Sequence, residues 1–330
     1  MNAAAPTPTL SSAPRNAPLW RSQLGTYLGL FAVLAGMVGL FSWMSEYFWS
    51  VDTFITIANE IPALAVMAVG MTFVLIIAGI DLSVGSVMAL SAATSAAAIL
   101  QWHWPVPAAA ALALLTGLVC GTITGAISVA WRLPSFIVSL GMLEAVRGSA
   151  YLVTDSRTQY VGDAISWLAA PFLGGISVAF LIAVALVVVA QLVLTRTVFG
   201  RSVVGIGTNE EAMRLAGVDP RPVRIIVFAL TGLMAGLAGL MQSARLEAAD
   251  PNGGTGVELQ VIAAVVIGGT SLMGGRGSVV TTAFGVLIIA VLEAGLAQVG
   301  ASEPSKRIIT GVVIVAAVII DTLRQRRAAV

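Results

Sequence analysis

The chain has 330 residues, of which 58% are hydrophobic and only 10% charged, with a mean hydropathy of +0.96. Soluble domains carry roughly 25% charged residues, so a chain this apolar cannot cover itself with polar surface in water, and lipid is its solvent over most of its area. A net charge of +1 offers no field for nucleic acid. At about 20 apolar residues per crossing, the length holds about ten spans and no sizeable soluble domain.

Residues 1–20 open with a Pro-, Ala- and Ser-rich stretch and read as a disordered cytoplasmic tail. The remainder, 21–330, reads as a single transmembrane domain. The first apolar run is too long for a signal-peptide core and lacks a clear cleavage site, so it reads as a retained helix. Apolar runs then recur at 24–43, 54–78, 84–100, 106–130, 134–153, 172–195, 223–243, 257–271, 278–298 and 307–322. The breaks at 79–83, 131–134 and 272–277 are short. Rows of small residues, Gly117, Gly121 and Gly125 on one span and Gly232 and Gly236 on another, have the spacing that lets helices approach closely in lipid.

Loop charge sets the orientation. With the N-terminus inside, the inner tails and loops hold 12 of the 17 basic residues, among them Arg132, Arg196, Arg201, Arg214, Arg276 and Arg324. An odd number of spans would invert later loops and spoil this bias. The expected fold is therefore all-α: a polytopic transmembrane helical bundle of about ten helices with both termini cytoplasmic.

Several chemistries fall to composition. The single lysine, Lys306, follows Ser305, so no P-loop is present, and the single histidine, His103, excludes HExxH zinc sites. Trp102, His103 and Trp104 read as an interfacial belt. The lone cysteine, Cys120, has no intramolecular disulfide partner. No catalytic, cofactor or metal residue is expected. Ionisable groups within spans are few: Glu144 and Arg147, three apart on one helix face, line a polar pathway or neutralise each other. Glu60 and Glu293, near span ends, read as interfacial carboxylates.

The longest inner connection, 196–222, is too polar to span. Asn209 suits an N-cap before Glu210 and Glu211, whose charges favour the first turn, and Gly217 suits the C′ position. Ala212, Leu215 and Ala216 give this helix of about two turns a small apolar surface beside Arg214. Alone it is marginal, so it needs its own bundle or a cytoplasmic protein to pack on. Asp81 and Ser83 suit a cap for the helix starting at 84, or a gate. Thr270 and Ser271 sit in a Gly-rich break that forms a tight inner turn or lines a wet cavity.

Three stretches carry a resemblance. Residues 70–86 (GMTFVLIIAGIDLSVGS), 207–218 (GTNEEAMRLAGV) and 262–277 (IAAVVIGGTSLMGGRG) resemble, in the same order, signature segments of the permease subunits of ribose-type ABC importers, in the branched-chain amino acid/ribose permease superfamily. The resemblance runs from about residue 50 to the C-terminus. It implies a multi-pass protein of the bacterial inner membrane that translocates a monosaccharide delivered by a periplasmic binding protein. It also implies a second permease copy or close paralogue, and a separate cytoplasmic ATPase carrying ATP and Mg. Residues 209–217, between spans six and seven, would then be the coupling helix that meets the ATPase. Other solutes (another pentose or hexose, inositol, a nucleoside, a signalling furanose) and an ion-coupled secondary carrier stay open as alternatives.

Overall fold

A computed structural model describes residues 19–328, so all but the last two residues of the expected tail lie outside the described residues. The chain forms α1 (Leu19–Met44), α2 (Val51–Glu60), α3 (Pro62–Ile76), α4 (Val84–Leu100), α5 (Val106–Ala130) and α6 (Ser135–Thr154). An outer segment follows, with β1 (Gln159–Tyr160), a 3-10 turn at Gly162–Leu168, β2 (Pro171–Leu173) and β3 (Ile176–Ser177). Next come α7 (Val178–Arg196), α8 (Val198–Thr208), α9 (Glu210–Leu215), α10 (Pro220–Leu246), β4 (Ala248–Ala249), α11 (Val257–Ile267), α12 (Val279–Gln298) and α13 (Glu303–Ala328).

Each of the ten expected apolar runs contains a helix, but they are not ten equal crossings. Among the described residues six helices are long and apolar enough to cross a membrane, and a bent pair makes a seventh. That pair corrects the run at 54–78. Pro62 lacks an N–H and is suited to a first helical turn, so α2 ends at Glu60 and α3 restarts at a bend of 49°. The run at 257–271 gives only the 11 residues of α11, about 16 Å or half a hydrocarbon core. The run at 172–195 starts too early: 171–177 is the β2–β3 hairpin, and Ser177 caps α7 by accepting the Phe180 N–H.

α3 and α4 form the centre and are buried along almost their whole length. Around them pack α5, α6, α10, α11 and α12, with α1 against α12. α5 and α10 meet through both glycine rows. A methyl group at Gly117 or Gly121 would collide with the carbonyls of Gly232 and Phe228, so the backbones touch directly. The outward faces carry Phe31, Leu115, Val188 and Val189, which suit lipid.

Contacts sort the connections into two ends as the charge argument requires. At one end Gly275 donates to the Ile76 carbonyl (2.8 Å) and Ile80 donates to Ser135 Oγ (2.9 Å). At the other, Val161 donates to the Glu247 carbonyl (2.9 Å), Asn59 Nδ2 to that of Gly175 (2.9 Å), and Gln298 Nε2 to Thr53 Oγ1 (2.7 Å). Each of these pairs joins connections or span ends expected on the same side. A miscounted crossing between them would have placed partners at opposite ends.

Candidate functional site

The inner loop is more structured than an isolated helix. α8, absent from the sequence reading, buries Gly200, Ser202, Val203 and Ile206 in the bundle and holds α9 at the surface. Asn209 caps α9 as expected, its Oδ1 accepting the Ala212 N–H at 2.9 Å. At the far end Gly217 adopts φ +84°, and the Gly217 and Val218 N–H groups return to the carbonyls of Arg214 and Met213 (both 3.0 Å). This paired closure satisfies two otherwise orphan carbonyls. Glu210 is tied to Arg224 of α10 (2.6 Å), and Arg214 lies 3.6 Å from Glu210 and 3.4 Å from Glu211. No residue of α9 is buried, and Leu215 is 83% exposed.

The three stretches that carried the resemblance meet in space. Gly207, the penultimate residue of α8, approaches the end of α3 so closely that a methyl group there would overlap the Ile76 carbonyl and the Gly275 nitrogen. Gly274 and Gly275, with φ of +85° and +74°, fold against Ala78 and Thr208. Positive φ favours glycine at both positions. Ser271 closes this turn: its N–H donates to the Arg276 carbonyl (2.9 Å), and its Oγ accepts from Met273 (3.2 Å). Thr270 is fully buried beside it, its hydroxyl without a protein partner.

Asp81 lies in the next connection and is buried, its Oδ1 accepting from both the N–H (2.9 Å) and Oγ (2.6 Å) of Ser83. Ser83 occupies the N-cap position of α4, yet its hydroxyl serves Asp81 and not the helix. Ser135 and Ser139 of α6 receive the Ile80 and Leu82 N–H groups, so the connection is clamped along its length. Glu144 and Arg147 are not brought together. Glu144 is exposed, whereas buried Arg147 donates to the Pro251 carbonyl (2.8 Å), and Tyr151 OH, one turn on, donates to Asn252 (2.7 Å). α6 thereby holds the loop that leads into α11.

A cavity of about 240 Å³ opens at the α2–α3 bend, near the end of the bundle that holds Gly175. Glu60, Gln242, Arg245, Gln260 and Glu293 line it, together with Ile61, Met67 and Met88. A neighbouring cavity of about 490 Å³ shares Glu60, Gln260 and Glu293. Gln260 Nε2 donates to Glu293 Oε1 at 2.7 Å, and Arg245 Nη1 lies 3.4 Å from Glu60 Oε1. None of Asp81, Ser83, Glu144, Arg147, Thr270 and Ser271 lines either cavity. The signal was present in the sequence: Gln242, Gln260 and Glu293 are polar residues inside apolar runs, costly in lipid unless they face a cavity.

Broken helices around a polar cavity, a surface helix carried on the bundle and lipid-suited outer faces define a multi-pass membrane permease. Comparison with known proteins gives the particular family. Residues 53–318 match the family described as the branched-chain amino acid transport system/permease component. The chain is 36% identical to the ribose import permease protein of Escherichia coli K12, over 97% of this chain and 99% of that one. It is 34% identical to the D-allose transport system permease of the same organism, over 89% and 91%. With the fructose import permease of Rhizobium meliloti it shares 33% identity, over 83% and 79%. The chain belongs to this permease family and is a transport subunit.

Proposed function

We propose that the chain is the membrane-spanning subunit of an ATP-driven importer of a monosaccharide, with ribose the nearest candidate. The observation that carries the reading is similarity to ribose, D-allose and fructose permeases that runs through all three converging stretches and almost the whole chain. Within this reading a periplasmic binding protein delivers the sugar at the end that holds the cavity. A second copy or a paralogue completes the pathway in the bacterial inner membrane. ATP and Mg belong to a cytoplasmic ATPase that receives α9, the segment the bundle leaves uncovered.

The geometry supports a route for the energy. The Gly207 junction joins the base of α9 to the end of α3 and to the Gly274–Gly275 turn between α11 and α12, and the other ends of α3 and α11 line the cavity. Motion of α9 is thus delivered to the pathway walls through backbone contacts.

Uptake by vesicles containing the chain with its ATPase and binding protein tests this. Accumulation of ribose, D-allose or D-fructose should require ATP hydrolysis and survive collapse of proton and sodium gradients. Uptake that followed an ion gradient without ATP would sink the proposal and restore the secondary carrier.

A further inference from the structure

We infer that the inner edge of the bundle, where α7 meets the start of α12, binds an anionic phospholipid. Arg196, Arg201 and Arg276 would hold its phosphate, and the open face of α7 its acyl chain. The inference needs the membrane orientation given by loop charge, and not the sugar reading.

α7 supplies the apolar part. Leu181, Val184, Val188 and Leu192 recur every three or four residues, so they share one helix face, and all four are exposed. An apolar face left open on a membrane helix lies against acyl chains. Arg196 continues the same row four residues on, in the last turn of the helix, and is exposed where the apolar stripe ends. A long cationic side chain at the end of a membrane helix extends into the phosphate layer. The chain then turns sharply: a methyl group at Gly200 would collide with the carbonyls of Val193 and Leu194. Val198 and Arg201, three apart on α8, are exposed, while Gly200, Ser202 and Val203 are buried. α8 thus packs on the bundle and leaves a valine and an arginine open beside the end of α7.

The third arginine reaches this edge by way of α12. Gln191 Oε1 of α7 accepts from the N–H groups of Val279 (2.9 Å) and Val280 (3.3 Å) and from Ser278 Oγ (3.3 Å). Arg276 stands two residues ahead of Ser278 and is exposed. At about 1.5 Å of rise per residue, Gln191 and Arg196 are about 7.5 Å apart along the axis, so Arg196 and Arg276 are rooted at one corner of the inner end. Ion pairing there does not neutralise them. Among the described residues, the inner ion pairs join Arg214 to Glu210 and Glu211, and Arg224 to Glu210. A guanidinium offers paired donors that match phosphate oxygens, and basic residues at the cytoplasmic surface attract anionic lipid. The α9 surface proposed for the ATPase lies beyond Gly207, past the far end of α8, which leaves this edge to lipid.

Quenching of a site-specific fluorophore by labelled lipid provides the test. Cys120 is the only cysteine, so Cys120→Ser clears the background, and Leu192→Cys carries a nitrobenzoxadiazole label on the stripe one turn before Arg196. The full chain is reconstituted in vesicles of phosphatidylcholine and phosphatidylglycerol, in which one lipid or the other bears a doxyl group on its acyl chain. Quenching curves should give a preference for phosphatidylglycerol of about fivefold. Replacing all three residues (Arg196→Gln, Arg201→Gln and Arg276→Gln) should bring the preference close to one. The three are exposed and outside those ion pairs, so packing is untouched. Leu140→Cys on α6 is the control. It is exposed at a similar distance from an inner helix end, and the connection there, 131–134, holds the single arginine Arg132. Preference at this position should stay under about twofold. Equal preference at both positions would reduce the site to general attraction by a basic face and overturn it, as would a preference that survives the triple substitution. Quenching by neither lipid at Leu192→Cys would show the edge covered by protein, a second copy included, and overturn it too. None of these outcomes bears on the uptake test of the sugar reading.

Discussion

At the scale of single residues, burial decides what a polar group does. Asp81 accepts two hydrogen bonds from Ser83 in a buried connection, so Asp81→Ala strands a buried N–H and a buried hydroxyl. Each orphan costs about 1–3 kcal/mol. Asp81→Ala should therefore lower the detergent melting temperature and the yield of assembled protein, and Asp81→Asn, which keeps an acceptor oxygen, should recover most of both. Normal assembly with lost uptake in Asp81→Ala would assign the residue to the gate instead. The glycines divide by the same logic. Gly121→Ala pushes its new methyl group into the Phe228 carbonyl of α10, whereas Gly141→Ala on α6 meets nothing within 4 Å. Overpacking costs about 1–3 kcal/mol, while the exposed helical site gains up to about 1 kcal/mol. Melting curves should move down for the first and stay level or rise for the second. Both glycine rows were visible in the sequence because small residues four apart mark contact in lipid. That Gly121 faces Phe228 and Gly232 was not, since nothing in the spacing names the partner helix.

At the scale of elements, α9 is held at its base and free along its outer face. The Glu210–Arg224 pair is partly solvated, 37% and 24% exposed, and so contributes less than about 1 kcal/mol to stability. Leu215 makes no buried contact. Leu215→Glu should leave the melting temperature within about 1 °C, because a surface change with no internal partner costs under about 0.5 kcal/mol. It should nonetheless reduce sugar-stimulated ATPase activity and uptake together by tenfold or more, read in reconstituted vesicles. Undiminished coupling would show that α9 is a loop helix packed for its own bundle. The cap at Asn209 and the stop at Gly217 were legible because local hydrogen bonding fixes them. α8 was not legible. Three glycines and a run of valines make Val198–Thr208 a poor helix by propensity, and burial of Val203 and Ile206 overrides it. The early start given to the sixth span has a related cause. Pro171–Ser177 is apolar enough to look like membrane helix, and Gly174 and Gly175, both at positive φ, turn it into a hairpin.

At the scale of the molecule, the three stretches that identify the family are distant in sequence and adjacent in space. Each had a separate reading, as a cap, a coupling helix and a turn; their meeting at Gly207, Ile76 and Gly275 depends on chain paths that no single stretch encodes. This convergence makes Gly207 a better probe of energy transfer than any residue of α9. A methyl group there overlaps the Ile76 carbonyl and the Gly275 nitrogen, two groups joined by a 2.8 Å hydrogen bond. Gly207→Ala must therefore move α8 away or break that bond, loosening the joint between α9 and α3 without altering the exposed face of α9 proposed to meet an ATPase. Binding of the ATPase should stay within about twofold of the wild type, because the proposed docking surface is unchanged. Uptake per ATP hydrolysed should fall by tenfold or more. Leu215→Glu should instead lower ATPase activity and uptake in proportion, so the ratio of the two separates a broken joint from a lost dock. If Gly207→Ala also kept that ratio unchanged, the glycine junction would be packing alone, and force would have to reach α3 and α11 by another path.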